Sequence, residues 1–142
     1  MFTGEYRHTV DDKGRLAIPV RFRAELAQGA QVSNWMDGCV ALHPQSEWDS
    51  LAEKINALPF TDPRGRTLRR LLFGSAQEVS LDRQGRFVLP QWLREDADIE
   101  NEVVLVGAGN RIELWSPKRW GKYSEQMDQP EALAESLAGL GI

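Results

Sequence analysis

The chain has 142 residues, of which 42% are hydrophobic and 27% are charged. This composition is typical of a globular protein, and the length fits one domain or two small halves that share a core. The sequence has no run of about 18 apolar residues that would span a membrane, and its first residues lack the apolar stretch of a signal peptide. A single cysteine, Cys39, excludes an intramolecular disulfide and a cysteine-cluster metal site, and two histidines leave little material for zinc. We therefore expect a cytoplasmic protein without a metal or another cofactor.

The charge of the chain is unevenly distributed. The formal net charge is −4 and the isoelectric point is about 5.2, and this acidic balance argues against a nucleic-acid binder, which usually has a basic surface. Residues 1–73, however, carry 10 Lys and Arg against 9 Asp and Glu, whereas residues 74–142 carry 7 against 12. One face of an acidic protein can therefore still be basic.

The first half opens with an extended segment, a glycine-containing turn and an alternating strand that ends at a proline. The three-residue turn has Gly14 where the left-handed residue belongs, which predicts a β-hairpin. Pro19 fits no central strand but suits the first turn of a helix. The predicted elements of this half are strands at Glu5–Val10 and Arg15–Ile18, a short helix at Val20–Leu26, and strands at Gln31–Trp35 and Cys39–His43.

Two predicted helices connect the halves. The first begins at Pro44 and has apolar residues at helical spacing, and the second covers about Pro63–Phe73. Four arginines in the second helix are better explained by a solvated helix face than by a binding site. They are Arg64, Arg66, Arg69 and Arg70.

The second half repeats the first. Residues 81–90 match residues 10–19 at an offset of 71, with identical Asp, Gly, Arg and Pro. Trp120 corresponds to Trp48 at an offset of 72. The repeat predicts strands at Gln77–Leu81 and Arg86–Leu89, a helix at Gln91–Asp96, strands at Glu102–Val106 and Arg111–Trp115, a helix from Pro117, and a weak or frayed helix in the tail Asp128–Ile142.

A unit of this size is marginal by itself, because small units bury too little surface. We therefore predict an α+β fold, mainly β with flanking helices, in which the two copies pair about a pseudo-twofold axis. Their strands would complete one barrel, which also removes exposed strand edges.

Motifs for enzyme chemistry are absent from the sequence. It has no Gly-x-Ser-x-Gly elbow, no phosphate loop and no His-Glu-x-x-His motif. His43 ends a predicted strand and has Trp115 as its repeat partner, so packing is favoured over catalysis, although a hydrolase that uses His43 with an acid remains an alternative. Cys39 is most simply a small core residue, and the matched Trp48 and Trp120 indicate equivalent packing.

The Asp-x-x-Gly-Arg turn is the most informative motif. Asp11 with Arg15, and Asp82 with Arg86, flank the two turns and are placed to pair across each hairpin. Such pairs are either structural or functional, and both roles are compatible, because an aspartate can orient an arginine that also reaches outward. Arginine suits phosphate oxygens and the guanine edge, and the major groove of DNA admits a two-stranded ribbon. Cations are dense around the first turn, namely Arg7, Lys13, Arg15, Arg21 and Arg23.

Residues 10–23 closely resemble the DNA-binding module of the SpoVT-AbrB family. Two such modules, the opening Met-Phe-x-Gly, the linker Leu68–Ala76 and the segment Val103–Gly107 together resemble the MraZ family, and this similarity covers about residues 1–125. The resemblance divides the chain into module 1 at 5–47, a helical linker at 48–75, module 2 at 76–119 and a C-terminal helix or tail at 120–142.

The resemblance implies a bacterial, nucleoid-associated transcriptional regulator, mainly a repressor of its own operon of division and cell-wall genes. It would bind double-stranded DNA at repeated short G-rich elements upstream of its gene, fold as an intrachain swapped-hairpin barrel, and assemble into a homo-oligomeric ring of about eight subunits. The implied DNA-binding residues are Arg7, Asp11, Lys13, Arg15, Arg21, Arg23, Asp82 and Arg86.

Two further inferences qualify this assignment. An acidic run after the second turn, from Glu95 to Glu102, would repel phosphate, so we expect module 1 to make most of the DNA contact. The alternative function is a protein-interaction scaffold of the antitoxin type, in which the linker leucines Leu68, Leu71 and Leu72 dock a protein partner.

Overall fold

The computed structural model describes residues 1–142 as a mixed α+β fold in which an antiparallel sheet carries flanking helices. The strands are β1 (Glu5–Thr9), β2 (Arg15–Ala17), β3 (Ala30–Asn34), β4 (Val40–Pro44), β5 (Gln77–Val79), β6 (Arg86–Val88), β7 (Glu102–Gly107) and β8 (Ile112–Trp115). The helices are α1 (Gln45–Asn56), α2 (Pro63–Leu72), α3 (Gln91–Asp96), α4 (Pro117–Met127) and α5 (Pro130–Ser136).

Strands from the two halves pair with each other. Six strands form one sheet in the order β1-β7-β8-β4-β3-β5, and β2 pairs with β6 in a separate two-stranded ribbon. The first strand of each half pairs with the third strand of the other half, as β1 with β7 and β5 with β3. Exchanging the halves leaves this pattern of pairings unchanged, as the sequence repeat predicts.

The ladders do not close into the predicted barrel. The six-stranded sheet has β1 and β5 as its edges, and no strand ladder joins the ribbon to either edge, although backbone hydrogen bonds connect them at the two hairpin turns. In the first hairpin, a single bridge pairs Val10 with Leu16, and Asp11 N donates to Arg15 O at 3.0 Å. The strands then separate, because β2 turns to pair with β6 and ends before Pro19, which has no N–H to extend a ladder.

Each hairpin turn is hydrogen-bonded to the opposite half. Ile18 N donates to Gly85 O at 2.9 Å, and Leu89 N donates to Gly14 O at 2.8 Å. The main core likewise draws buried residues from both halves, including Leu16 and Phe87 at the centre of the ribbon. Neither half can form this core alone, which is the outcome expected for two marginal units.

The helices lie around this core. Asp62 caps α2 by accepting from Arg64 N at 2.9 Å, and Ser116 caps α4 by accepting from Arg119 N at 3.1 Å. In both helices the first residue after the N-cap is a proline, which needs no hydrogen-bond partner for its nitrogen. The predicted helix at Val20–Leu26 is two short 3-10 turns whose hydrogen bonds span three residues. None of the helices is long and apolar enough to cross a membrane.

The two turn glycines provide a matched test of the packing between halves. Gly14 and Gly85 both have positive φ, +79° and +73°, but a Cβ on Gly85 would collide with the guanidinium of Arg23, whereas one on Gly14 meets no atom closer than 3.5 Å. We expect Gly14→Ala to lower the free energy of unfolding by about 1 kcal/mol. Gly85→Ala should cost about 1 kcal/mol more, because Arg23 then loses its hydrogen bond to Ile18 O.

Urea unfolding followed by tryptophan fluorescence measures both losses. In an Arg23→Ala background the two glycine substitutions should cost the same. An equal cost in the wild-type background would show that Arg23 does not hold the second turn.

Candidate functional site

The outward face of the β2–β6 ribbon carries two arginines. In its register Leu16 lies opposite Phe87, and both side chains are buried in the core. Side chains alternate along a strand, so the residues on either side of this pair point away from the core. Arg15 lies opposite Val88 and Ala17 lies opposite Arg86, which places one arginine at each end of the face.

Asp11 fixes the first of these arginines. Its Oδ1 accepts hydrogen bonds from the backbone N–H groups of Lys13 (2.9 Å) and Arg15 (2.8 Å), and its Oδ2 accepts one from Arg15 Nε at 2.6 Å. The hydrogen bond from the Arg15 backbone is the main reason why the pKa of the Asp11 carboxyl lies below its usual value. Arg15 uses only Nε within the protein, so both Nη groups remain available to a ligand.

The second turn has the same geometry. Asp82 Oδ1 accepts from the backbone N–H groups of Gln84 and Arg86, both at 2.9 Å, and Oδ2 accepts from Arg86 Nε at 3.0 Å. The backbone hydrogen bond from Arg86 is again the main cause of a lowered pKa, here for Asp82. The structural alternative for these pairs is thus correct, and it leaves the outer edge of each guanidinium free.

The tips of the turns add charge to this face. Lys13 is exposed in the first turn, and Arg83 is exposed at the position in the second turn that corresponds to Asp12. Arg83 is not among the predicted DNA-binding residues, although the repeat offset of 71 places it in the second turn. The two turns therefore both carry cations, despite the acidic run that follows the second one.

The other predicted cations are not gathered on the ribbon face. Arg7 shares a strand face with Glu5, whose carboxylate accepts from Trp120 Nε1 of α4 at 3.1 Å, so Arg7 lies on the α4 side of β1. Arg21 donates to Tyr6 Oη at 2.8 Å, and Arg23 donates through Nε to Ile18 O at 2.9 Å and covers the second turn. Arg21 and Arg23 therefore both form hydrogen bonds within the fold.

One histidine contacts the ribbon. His8 Nδ1 lies 2.6 Å from Ala17 O and ties β1 to β2. The corresponding residue of the second half is Val79, which forms no such hydrogen bond. The two ends of the ribbon are therefore held differently.

His43 is buried among aromatic rings. It is 1% exposed, and its ring centroid lies 5.0 Å from that of Trp35 and 5.8 Å from that of Trp48. Burial and, to a lesser degree, the charge of Arg111 lower its pKa from 6.5 to about 4. Its Nδ1 has no hydrogen-bond partner. These surroundings fit the predicted packing role, and they bring no carboxylate to the ring for the hydrolase alternative.

The linker helix α2 packs its leucines and arginines against the rest of the fold. Leu72 is buried and Leu68 packs against the same cluster, which leaves Leu71 as the exposed leucine of the three. Arg69 donates through Nη2 to carbonyls at the end of α1, including Leu58 O at 3.0 Å, and Arg64 pairs with its own cap residue, Asp62. Two of the three leucines that the scaffold alternative requires on the surface are therefore packed inside the protein.

Metal ligands do not cluster in the structure. No group of three or more His, Cys, Asp or Glu side chains is placed to hold an ion. Cys39 is buried, as expected for a core residue, and burial raises the pKa of its thiol.

Comparison with known proteins assigns both halves to one family. The family described as "MraZ protein, putative antitoxin-like" matches residues 1–71 and again residues 72–138. A protein named "Transcriptional regulator MraZ" from Herpetosiphon aurantiacus is 49% identical over the full length of both chains. Proteins of the same name from Desulfitobacterium hafniense and Roseiflexus castenholzii are 47% identical over the full length and 45% identical over 99% of both chains. The double match confirms the predicted repeat.

The buried histidine should make stability depend on pH. Because the pKa of His43 is about 4 in the folded chain and near 6.5 when unfolded, the unfolded state binds the proton first as pH falls. Its contribution is fully present above pH 6.5 and declines between pH 6.5 and 4, by about 3 kcal/mol in all.

A His43→Leu variant is the matched comparison, because it retains every other titrating group. The difference in free energy of unfolding between this variant and the wild type, measured by urea titration at each pH, should stay constant above pH 6.5 and shift in favour of the variant as pH falls to 4. A constant difference throughout that range would contradict a lowered pKa for His43.

Proposed function

Since the chain belongs to the MraZ family, we propose that it is a transcriptional regulator that binds double-stranded DNA in a sequence-specific manner. The observation that carries this proposal is the outward face of the ribbon, where Arg15 and Arg86 are each fixed through Nε and have unpaired Nη groups. The names of the relatives support the regulatory role.

The ribbon suits the major groove in both size and chemistry. A two-stranded β-ribbon fits this groove, and guanine presents O6 and N7 there to the two donors of a guanidinium. A fixed guanidinium loses little side-chain entropy on binding, because its aspartate already holds it in one orientation. Asp11 and Asp82 are positioning residues in this scheme, and Arg15 and Arg86 contact the bases.

Lys13 and the other predicted cations would act on the phosphates. Phosphate contacts fix the register of a protein on DNA, whereas base contacts specify the sequence. We include Arg7, Arg21 and Arg23 among these phosphate-binding cations. Because Arg21 and Arg23 already form hydrogen bonds within the fold, we propose that they act mainly by holding the binding surface in place. Module 1 would thus contribute most through Lys13 and Arg15.

The proposed target is a set of repeated G-rich elements upstream of the gene itself, at which the protein mainly represses its operon. Assembly into a ring of about eight subunits would present the ribbon several times, and binding several elements at once raises avidity without new contacts. We also propose that the hairpins of the two halves are swapped, so that the hydrogen bonds of the turns hold the ribbon against the sheet although the strand ladders do not close. This arrangement would hold each ribbon rigidly within the ring.

Removing the two arginines singly tests the proposal. Arg15→Ala should weaken binding to the duplex upstream of the gene by roughly 10- to 100-fold, which corresponds to the loss of one bidentate base contact. Arg86→Ala should have a smaller effect in the same direction. The control is Arg64→Ala, which removes an exposed arginine on α2, and it should leave affinity unchanged.

Gel shifts on that duplex and on an unrelated duplex of equal length measure these effects. The arginine variants should lose their preference for the upstream duplex. Unchanged affinity of Arg15→Ala would contradict the assignment of this ribbon as the DNA-binding element.

The dependence of DNA affinity on salt concentration should distinguish the phosphate contacts from the base contacts. Each phosphate neutralised by a cation contributes about −0.9 to the slope of log K against log salt concentration. Lys13→Ala should reduce this slope by about 0.9 for each subunit bound and weaken binding equally on both duplexes. Lys54→Ala, at the exposed end of α1, is the control, and an unchanged slope for Lys13→Ala would exclude a phosphate contact there.

A further inference from the structure

The ribbon has twofold backbone symmetry without twofold side-chain symmetry. Exchanging its halves maps Arg15 onto Arg86 and Ala17 onto Val88. The arginines are the same at both ends, but a methyl group at one end stands where an isopropyl group stands at the other. The face that would meet DNA is therefore directional.

Val88 places its apolar side chain in solvent beside the first turn. It is 57% exposed and lies directly opposite Arg15. A Cβ on Gly14 would lie 3.7 Å from Val88 Cγ1, and the next residue, Leu89, donates to Gly14 O at 2.8 Å. Val88 thus belongs to the second half by sequence, but it lies with Lys13 and Arg15 in space.

We propose that Val88 is a specificity-determining residue that packs against the C5 methyl group of a thymine near the guanine contacted by Arg15. This inference rests on the DNA-binding function proposed above. The thymine methyl is the apolar group that base pairs present in the major groove. It is therefore the group whose chemistry matches an exposed isopropyl group on a face that also carries two guanidinium groups.

The register of the ribbon limits the position of this thymine. Side chains directly opposite each other in an antiparallel pair have Cβ atoms about 5 Å apart, and successive bases along a DNA strand are about 3.4 Å apart. The thymine should accordingly lie within about two base pairs of the guanine bound by Arg15. The shorter Ala17 beside Arg86 cannot make the same contact, so the ribbon should bind a non-palindromic element in one orientation.

An exposed valine in a strand also has a conformational explanation, because β-branched residues favour extended backbone. A conformational role would affect stability and overall affinity, but it would not make binding depend on a single methyl group of the DNA. The experiment therefore removes that methyl group from the DNA as well as the side chain from the protein.

The test uses the full chain and the duplex upstream of its gene, with each thymine replaced in turn by deoxyuridine, which lacks the C5 methyl group. Gel shifts compare the wild type with Val88→Ala and with Val20→Ala, a matched control that truncates an exposed valine outside the ribbon strands. Wild type and Val20→Ala should lose about fourfold in affinity at a thymine close to a guanine, as expected for one buried methyl group. Val88→Ala should bind the thymine and deoxyuridine duplexes equally.

Provided that the wild type binds the duplex, two results would overturn the proposal: an equal deoxyuridine loss in wild type and Val88→Ala, or no loss in wild type at any thymine. Arg15→Ala on the same duplexes separates this failure from failure of the proposed function. If Arg15→Ala weakens binding while the deoxyuridine loss is independent of Val88, only the thymine contact is refuted. If the wild type does not bind the duplex, both proposals are refuted.

Discussion

The antiparallel pairing of β2 with β6 joins the two halves and sets which side chains of the ribbon face the core. Each strand has only three residues and would be unstable within its own half. Pairing across the halves buries Leu16 and Phe87 in a shared core, and the alternation of side chains then requires Arg15 and Arg86 to point outward. The same register that stabilises the fold therefore creates the candidate binding face.

The aspartates of the turns serve both the fold and the site. Asp11 and Asp82 each accept two backbone N–H groups within the turn, which would otherwise need water or another partner. Because one oxygen is sufficient for those backbone groups, the other is free to hold the arginine through Nε. A positioned arginine with free Nη groups thus follows from the way the turn satisfies its own backbone.

Local features and the pairing of the two halves were predictable from the sequence, whereas the individual side-chain contacts between the halves were not. The turn glycines, the helix starts at Pro63 and Pro117 and the repeat all follow from short-range patterns, and the structure agrees with them. The packing of Arg23 over Gly85 and the position of Val88 beside the first turn both depend on the register between β2 and β6. Arg23 and Gly85 are 62 positions apart (85 − 23) and Gly14 and Val88 are 74 apart (88 − 14), so no local pattern indicates that register and these roles needed the three-dimensional pairing.

The same pairing resolves the conflict between an acidic chain and a nucleic-acid partner. The ribbon carries Lys13 and Arg15, from the weakly basic half, at one end of its face. Arg83 and Arg86, from the acidic half, lie at the other end, so the charge of this face is not the charge of either half. Of the three aspartates in the turns, Asp11 and Asp82 bind the Nε side of the arginines and leave the outer edges unpaired, whereas Asp12 is exposed beside Lys13. Exposed charges farther away than about 10 Å are largely screened at physiological salt. The local arrangement of the turns therefore matters more for an encounter with DNA than the net charge of −4.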